Sequence, residues 1–478
     1  MLSKCASRYI YIHCPALLYP VAFEYLATKA TISIMRYFLL ALLGVGGFGC
    51  RPDKPAVIAV SPHSPSVSMT YVETDYQDTT FTESELYDRI LGSLVGSAIG
   101  DAMGAPTEMW SQWDIRETYG HVDSLDLVLR EPSPEGPWNF NLPPGAGTDD
   151  TRWKALLTDF VIAEHDLRSP THPLTLAPKR FAAHLISTYE QSIKDLKATT
   201  GVEPEPFEDK MRRMTWLQEW AKVSRPYAKE DIDGYRDALS RFYGGEMSCA
   251  GMLYAPILGA SFPGRPAVAY RVAYDLALFD VGYARDITGM TAALTAAAFS
   301  PGTTLDSLAT VLRDIDPAGF FRSRLLGRVA YQQYKQARTI VRACRRITEA
   351  DLKAMDIRLP DGYPYDSLTY AQTTKAYELL AKAKQDVPFH AGEIHLINLT
   401  ALMYSDLQFS RAMEFITNYG RDNDTVAAVT GAILGAHGGY SNLPRDQREL
   451  VIRVNRDVLD IDLEVLAWNL TEAVLSRR

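Results

Sequence analysis

Two adjacent carboxylates, Asp149 and Asp150, stand between Thr148 and Thr151 in the stretch "GTDDTRW", just after the turn residues Gly145 and Gly147. Trp153, Leu156, Leu157, Phe160 and Val161 then recur at helical spacing, so Thr148 falls at an N-cap and both acids fall in the first turn. Acids there complement the positive end of the helix dipole, and one such corner asks for no further role. A second corner changes that reading. The stretch "GRDNDTVAAVTGAILGAHGG" sets Gly420, then Asp422, Asp424 and Thr425, at the mouth of a helix of small and apolar residues. Thr148, Asp149, Asp150, Asp422, Asp424 and Thr425 offer oxygen ligands and no soft ones. Such a set suits a hard divalent ion, Mg²⁺ or Mn²⁺, and makes zinc a poor fit. Two corners of this kind could hold a pair of ions roughly 3.5 to 4 Å apart around an activated water.

Other catalytic patterns are missing from the sequence: no GxSxG elbow, no Walker loop, no GxGxxG after a strand. His390 and His395 lie five apart and lack the HExxH pattern, so a structural or supporting role is expected of them. Of the five cysteines, Cys249 and Cys344 remain once the leader and Cys50 are set aside, and their spacing demands no disulfide.

The elements that would carry the corners read as helices. In "GSLVGSAIGDAMGAPTE" Gly92, Gly96, Gly100 and Gly104 recur every fourth residue, each costing a helix about 1 kcal/mol relative to alanine. Close approach of a second helix is the expected compensation. Asp88, Arg89 and Asp101 make this segment a poor membrane span, so a buried core helix is expected. Periodicity elsewhere is helical and strand alternation nearly absent, which predicts an all-α domain. Charged, proline-bearing stretches near 190–243 and 321–386 read as insertions, and the basic run from Arg322 to Arg346 as a solvated helix face.

At 478 residues, 47% hydrophobic and 22% charged, the chain has the composition of an ordinary globular protein, and a net charge of −9 disfavours nucleic acid as a partner. The N-terminal part is different. From Met35, a plausible start, "MRYFLLALLGVGGFGC" gives a basic residue, a short apolar run and then Cys50, the pattern of a lipoprotein signal. Residues 1–50 are expected to be a leader, 51–82 a Pro/Ser/Thr-rich tether and 83–478 the folded domain. That predicts export, with a lipid anchor at Cys50 in a bacterial cell envelope as the membrane attachment.

Taken in order, "GSLVGSAIGDAMGAPTE", "GTDDTRW" and "GRDNDTVAAVTGAILGAHGG" resemble the ADP-ribosylglycohydrolase family, which includes the dinitrogenase reductase-activating glycohydrolases. The resemblance implies a compact all-α multi-helix bundle around two Mg²⁺ ions, or Mn²⁺, that cleaves a bond at the anomeric carbon of ADP-ribose. It implies the six residues above as metal ligands and Glu108, closing "GAPTE", as an acid working at the substrate. Glu108 or Asp150 would manage the proton. Many members carry a GNG-x-x-MR loop, where this chain has "MSCAGMLYAP": Met252 fits, while Ser248 stands at the Asn and Leu253 at the Arg. Ser248, Met252, Tyr283 and Asp286 are the expected substrate-binding residues, the last two from "FDVGYARD". An Arg/Asp pair serving only the core is an equal reading of that last stretch. The expected substrate is a small-molecule or protein-linked ADP-ribosyl group. A non-catalytic ligand-binding module and a two-metal phosphohydrolase are the alternatives.

Overall fold

The computed structural model describes residues 81–129, 141–167, 176–201, 215–323, 325–355, 357–360 and 362–476. The leader, Cys50 and the tether up to residue 80 lie outside the described residues. In chain order the α-helices are α1 (Glu83–Gly104), α2 (Gln112–Tyr119), α3 (Asp149–Asp166), α4 (Pro178–Thr200), α5 (Thr215–Ala228), α6 (Ile232–Leu239), α7 (Ala250–Ser261), α8 (Pro266–Leu276) and α9 (Ala284–Ala298). They continue as α10 (Leu305–Asp314), α11 (Val329–Cys344), α12 (Glu349–Leu352), α13 (Ser367–Ala381), α14 (Ala391–Tyr404), α15 (Phe409–Thr417), α16 (Asn423–Gly438), α17 (Arg445–Leu459) and α18 (Leu463–Leu475). The fold is all-α: among the described residues β-structure is limited to three isolated bridges, at Ser111–Gly420, Val128–Leu142 and Ser248–His390. No described helix is long and apolar enough to cross a membrane.

The centre of the molecule is the antiparallel pair α1 and α16. Thr82 caps α1 in a capping box with Glu85, and the helix is buried from Ile90 to Gly104. Its glycines meet the backbone of α16. A Cβ on Gly92 would sit 2.5 Å from the Gly435 carbonyl oxygen, and one on Gly96 2.5 Å from that of Gly431. Gly104 abuts the backbone of Asp424 in the same way. The compensation expected for the glycine run is therefore this seam, and its far end sets Thr107 and Glu108 against the start of α16.

The segment 215–243, read from sequence as an insertion, reaches into the core. Trp220 of α5 is fully buried, with its ring centroid 3.6 Å from that of Trp153 on α3 and 4.2 Å from that of Phe279. Large aromatic burial of this kind fixes α5 against α3 and the loop after α8. In α11 the basic residues Lys335, Arg338 and Arg342 do face solvent, whereas Arg328, one residue before it, is buried. Cys249 and Cys344 are both buried free thiols.

Candidate metal centre

Local rules build each corner of the site. Thr148 is extended and its hydroxyl oxygen accepts from the Asp150 amide at 3.3 Å, the N-cap expected of it. The same hydroxyl donates to Asp101 of α1 at 2.8 Å, and the Thr151 amide and hydroxyl donate to the other Asp101 oxygen. Asp101 thus ties α3 to α1. Sequence reasoning missed this role, although an acid inside a small-residue helix was a visible sign.

The second corner is set by two backbone crossings. The Met109 amide donates to the Arg421 carbonyl at 2.7 Å and the Arg421 amide returns to Trp110 at 2.8 Å, which pulls Glu108 and Asp422 to one place. Met109 and Arg421 both hold positive φ, 65° and 66°, a conformation that costs a non-glycine residue about 1 kcal/mol or more. A second crossing, Cys249 amide to Phe389 carbonyl at 2.9 Å and Ala391 amide to Met247 carbonyl at 2.8 Å, closes the facing wall.

Between these walls lies a cavity of ≈ 80 Å³ lined by Glu108, Met109, Asp149, Tyr243, Ser248, Cys249, Ala250, Leu253, Phe389, Asp422, Asp424 and Thr425. Glu108, Asp422 and Asp424 are buried, and each presents a carboxylate oxygen within 4.8 Å of the other two. The two helix mouths also touch: the Thr425 hydroxyl donates to Asp150 Oδ2 at 2.9 Å. Asp424 Oδ1 and the Ser248 hydroxyl are buried without a hydrogen-bond partner, polar atoms left for a ligand to meet.

Burial holds these acids toward the neutral form. Asp149 is pushed up to about 8, first by desolvation and then by Asp150 and Glu108. Asp422 and Asp424 are raised well above the carboxylate range, first by burial and then by Glu108. Asp101 is raised to about 6 by burial and by Asp150. Carboxylates in this state are relieved by a bound cation, and an oxygen-rich buried donor set fits a hard divalent ion. Cys249 Sγ, on the cavity wall, lies 3.8 Å from Asp422 Oδ2, with its thiol pushed up by burial and by Asp422.

Of the residues expected from sequence, Glu108, Asp149, Asp422, Asp424, Thr425 and Ser248 come together around the cavity. Thr148 and Asp150 stand one layer behind it. Asp150 is buried, pairs with the buried Lys154 at 3.2 Å, and takes the Thr425 hydroxyl on its other oxygen. Met252 is fully buried and does not line the cavity. It lies about 100° around α7 from Leu253, which does. Asp286 is also away from the cavity: it accepts from Arg328 at 2.7 Å and from the Tyr270 hydroxyl at 2.6 Å, a core ion pair with Arg328 rather than Arg285. Tyr283 lies outside the lining, its hydroxyl 3.4 Å from His390 Nε2. His390 caps α14 through Nδ1, and His395 is buried in the core, its imidazole pushed down to about 3 by desolvation. Tyr243, Phe389 and Lys154 were not foreseen. Tyr243 and Phe389 reach the site through tertiary packing, which leaves no local pattern to read, whereas Lys154 meets Asp150 four residues back on α3, a local spacing that was visible.

An all-α molecule whose two acid-bearing helix mouths close on a buried oxygen-donor cavity is defined as a class by that centre. Residues 82–477 match the ADP-ribosylglycohydrolase family, and the chain belongs to it. Membership makes the protein a glycosyl hydrolase of the ADP-ribosylglycohydrolase type. Among solved structures, one titled "ADP-ribosylglycohydrolase-related protein complex" is similar at 18% identity and a TM-score of 0.48, covering 82% of this chain and 99% of that chain. No curated protein gives a significant match.

Proposed function

We propose that the protein is a divalent-metal-dependent hydrolase that cleaves the glycosidic bond of an ADP-ribosyl or related ribosyl group, with a pair of Mg²⁺ ions, or Mn²⁺, as its cofactor. The observation that carries the reading is the gathering of Glu108, Asp422 and Asp424 within 4.8 Å of one another in a buried cavity that Asp149 and Thr425 also line. Those five residues would hold the metal, while Thr148 and Asp150 hold the two helix mouths in place. A bound metal would supply positive charge for the ribose hydroxyls and a water of lowered pKa. The chain's own residues do the rest. Glu108 takes the proton of the attacking water as its oxygen adds to the anomeric carbon. The bond to the aglycone breaks, and the proton that Glu108 took passes to the departing aglycone, which leaves Glu108 ionised again. Tyr243 and Phe389, with ring centroids 5.6 Å apart, give the sugar or base an apolar wall that excludes water. Leu253, where the family resemblance leads one to expect an arginine, adds an apolar side chain to the lining and suits an aglycone other than a protein-linked one.

The purified domain, given ADP-ribosyl-arginine, ADP-ribosyl-serine peptide and simple nucleosides with Mg²⁺ or Mn²⁺, is expected to release free ADP-ribose or ribose, and chelator should stop it. Release of phosphate instead would move the reading to a phosphohydrolase. Silence on every substrate would leave a binding module. We also propose, from the sequence of the leader, that Cys50 is acylated and that the protein is anchored outside the cytoplasm. A Cys50→Ala variant should then leave the membrane fraction, and one that stays bound defeats the anchor.

A further inference from the structure

A second cavity, ≈ 270 Å³, opens between α2, α13 and α15, and none of its lining residues lines the acidic cavity. Its walls are aromatic: Trp113, His121, Tyr363, Tyr365, Tyr370 and Tyr377. The rings brace one another edge to face, Tyr363 against His121 at 5.2 Å, Tyr365 at 5.8 Å and Tyr370 at 5.1 Å, so the wall is built rather than loose. Trp113 is 62% exposed beside the opening, a large apolar surface left in water.

The charges in the cavity are arranged for an anion. Glu414, the carboxylate of the lining, accepts from the Tyr365 hydroxyl at 2.6 Å and lies 3.2 Å from His121 Nε2, both on its Oε2, so one of its oxygens is engaged within the wall and its single charge stands against two guanidinium groups. Arg116 and Arg411 also line the cavity, and among the described residues neither makes an ion pair or a side-chain hydrogen bond. Each guanidinium instead stands over a tyrosine ring, Arg116 over Tyr370 at 5.5 Å and Arg411 over Tyr365 at 5.8 Å. A guanidinium set on an aromatic ring keeps its donors free for a planar or tetrahedral oxyanion. The size is close to the lower end of small-molecule sites, roughly 300 Å³ and upward, and excludes a folded partner.

We propose that this cavity is a second ligand site that takes a planar aromatic anion of the nucleoside-phosphate class, its ring among the tyrosines and its phosphate met by Arg116 and Arg411. Bases stack on aromatic side chains regardless of their edge chemistry, so the site reads ring and charge together. The inference does not rest on hydrolysis at the acidic centre. It holds for an enzyme or for a binding module alike.

The test is calorimetric titration of the metal-stripped protein with AMP, adenosine and inorganic phosphate, each up to about 5 mM. AMP is expected to bind at least about tenfold more tightly than adenosine or phosphate, since it alone offers both groups. Arg116→Gln with Arg411→Gln should weaken AMP about tenfold or more, while Asp422→Asn leaves it within about twofold. Free ADP-ribose serves as a further arm. Binding as sensitive to the arginine pair as that of AMP identifies the nucleotide end of a larger substrate as an occupant, whereas AMP binding alone identifies a free nucleotide. Hydrogen exchange on the unaltered protein removes any dependence on the variants: AMP should protect residues 363–374 and 411–418 and spare 422–425. No binding at about 5 mM, or protection confined to the acidic corner, overturns the proposal.

Discussion

Lys154 sets the charge balance of the acidic centre. Its ammonium is 2% exposed and donates to both the carboxylate and the carbonyl of Asp150, at 3.2 and 3.1 Å. That pairing accounts for the charge of Asp150 and leaves Glu108, Asp149, Asp422 and Asp424 as the acids a cation must answer. Replacing Lys154 by methionine keeps the volume and strands Asp150 as a buried carboxylate, a change that costs about 3–5 kcal/mol. Urea unfolding of the metal-free variant should show that loss, and an unchanged midpoint would mean that Asp150 carries no charge to strand. Glu108 makes a different prediction. Glu108→Gln keeps an oxygen donor but cannot take a proton, so kcat should fall about 10²–10⁴-fold while added Mg²⁺ or Mn²⁺ still raises the melting temperature. If the metal-induced shift vanishes with the activity, Glu108 serves chiefly to hold the ion.

The pairing of α1 with α16 positions these residues, and its glycines can be tested directly. Alanine at Gly96 would gain about 1 kcal/mol of helix propensity but would put its Cβ 2.5 Å from the Gly431 carbonyl oxygen, a contact that neither backbone can relieve. Overpacking of this kind costs about 1–3 kcal/mol, so Gly96→Ala should be destabilised. Gly104→Ala, against the Asp424 backbone, should also lose activity beyond its loss of stability, because it separates Glu108 from Asp424. Gly438→Ala is the control: its Cβ would meet Asn442 at an ordinary 3.7 Å and stability should change by no more than about 0.5 kcal/mol. Thermal melts and turnover of the three variants decide the matter. The glycine period, the Thr148 cap and both acid corners were legible in the sequence because each obeys a rule spanning four or five residues. What brings the corners together was not. Asp101 bonding to Thr148 and Thr151, Thr425 reaching Asp150, and Tyr243 and Phe389 closing the wall are contacts between segments far apart in the chain. Met252 and Asp286 show the converse: motif position alone does not say which side of a helix faces the cavity.

At the scale of the whole molecule the buried acids couple folding to pH and to metal. Asp149 is raised to about 8 and Asp101 to about 6, each chiefly by burial, and Asp422 and Asp424 are raised well above the carboxylate range. An unfolded aspartate titrates near 3.9. Between that value and its folded pKa each group binds more protons in the folded state than in the unfolded one, so stability falls as pH rises through that window. The contribution is whole below about pH 4 and, for Asp149, gone above about pH 8. Metal-free protein should therefore melt at a lower temperature at pH 8 than at pH 5.5, opposite to the usual effect of salt-bridged carboxylates. A divalent ion bound by the ionised acids must displace their protons, so its affinity should rise with pH and its stabilisation should be largest where the metal-free protein is weakest. Melting curves at pH 5.5, 7 and 8, with chelator and with saturating Mn²⁺, should then diverge steadily as pH increases. Parallel curves would mean that the acids bind no cation, or that they already share one proton-independent charge state in the folded chain. Asp422→Asn with Asp424→Asn separates those cases: it should flatten the metal-free slope and abolish the response to Mn²⁺ together, because the same carboxylates carry both.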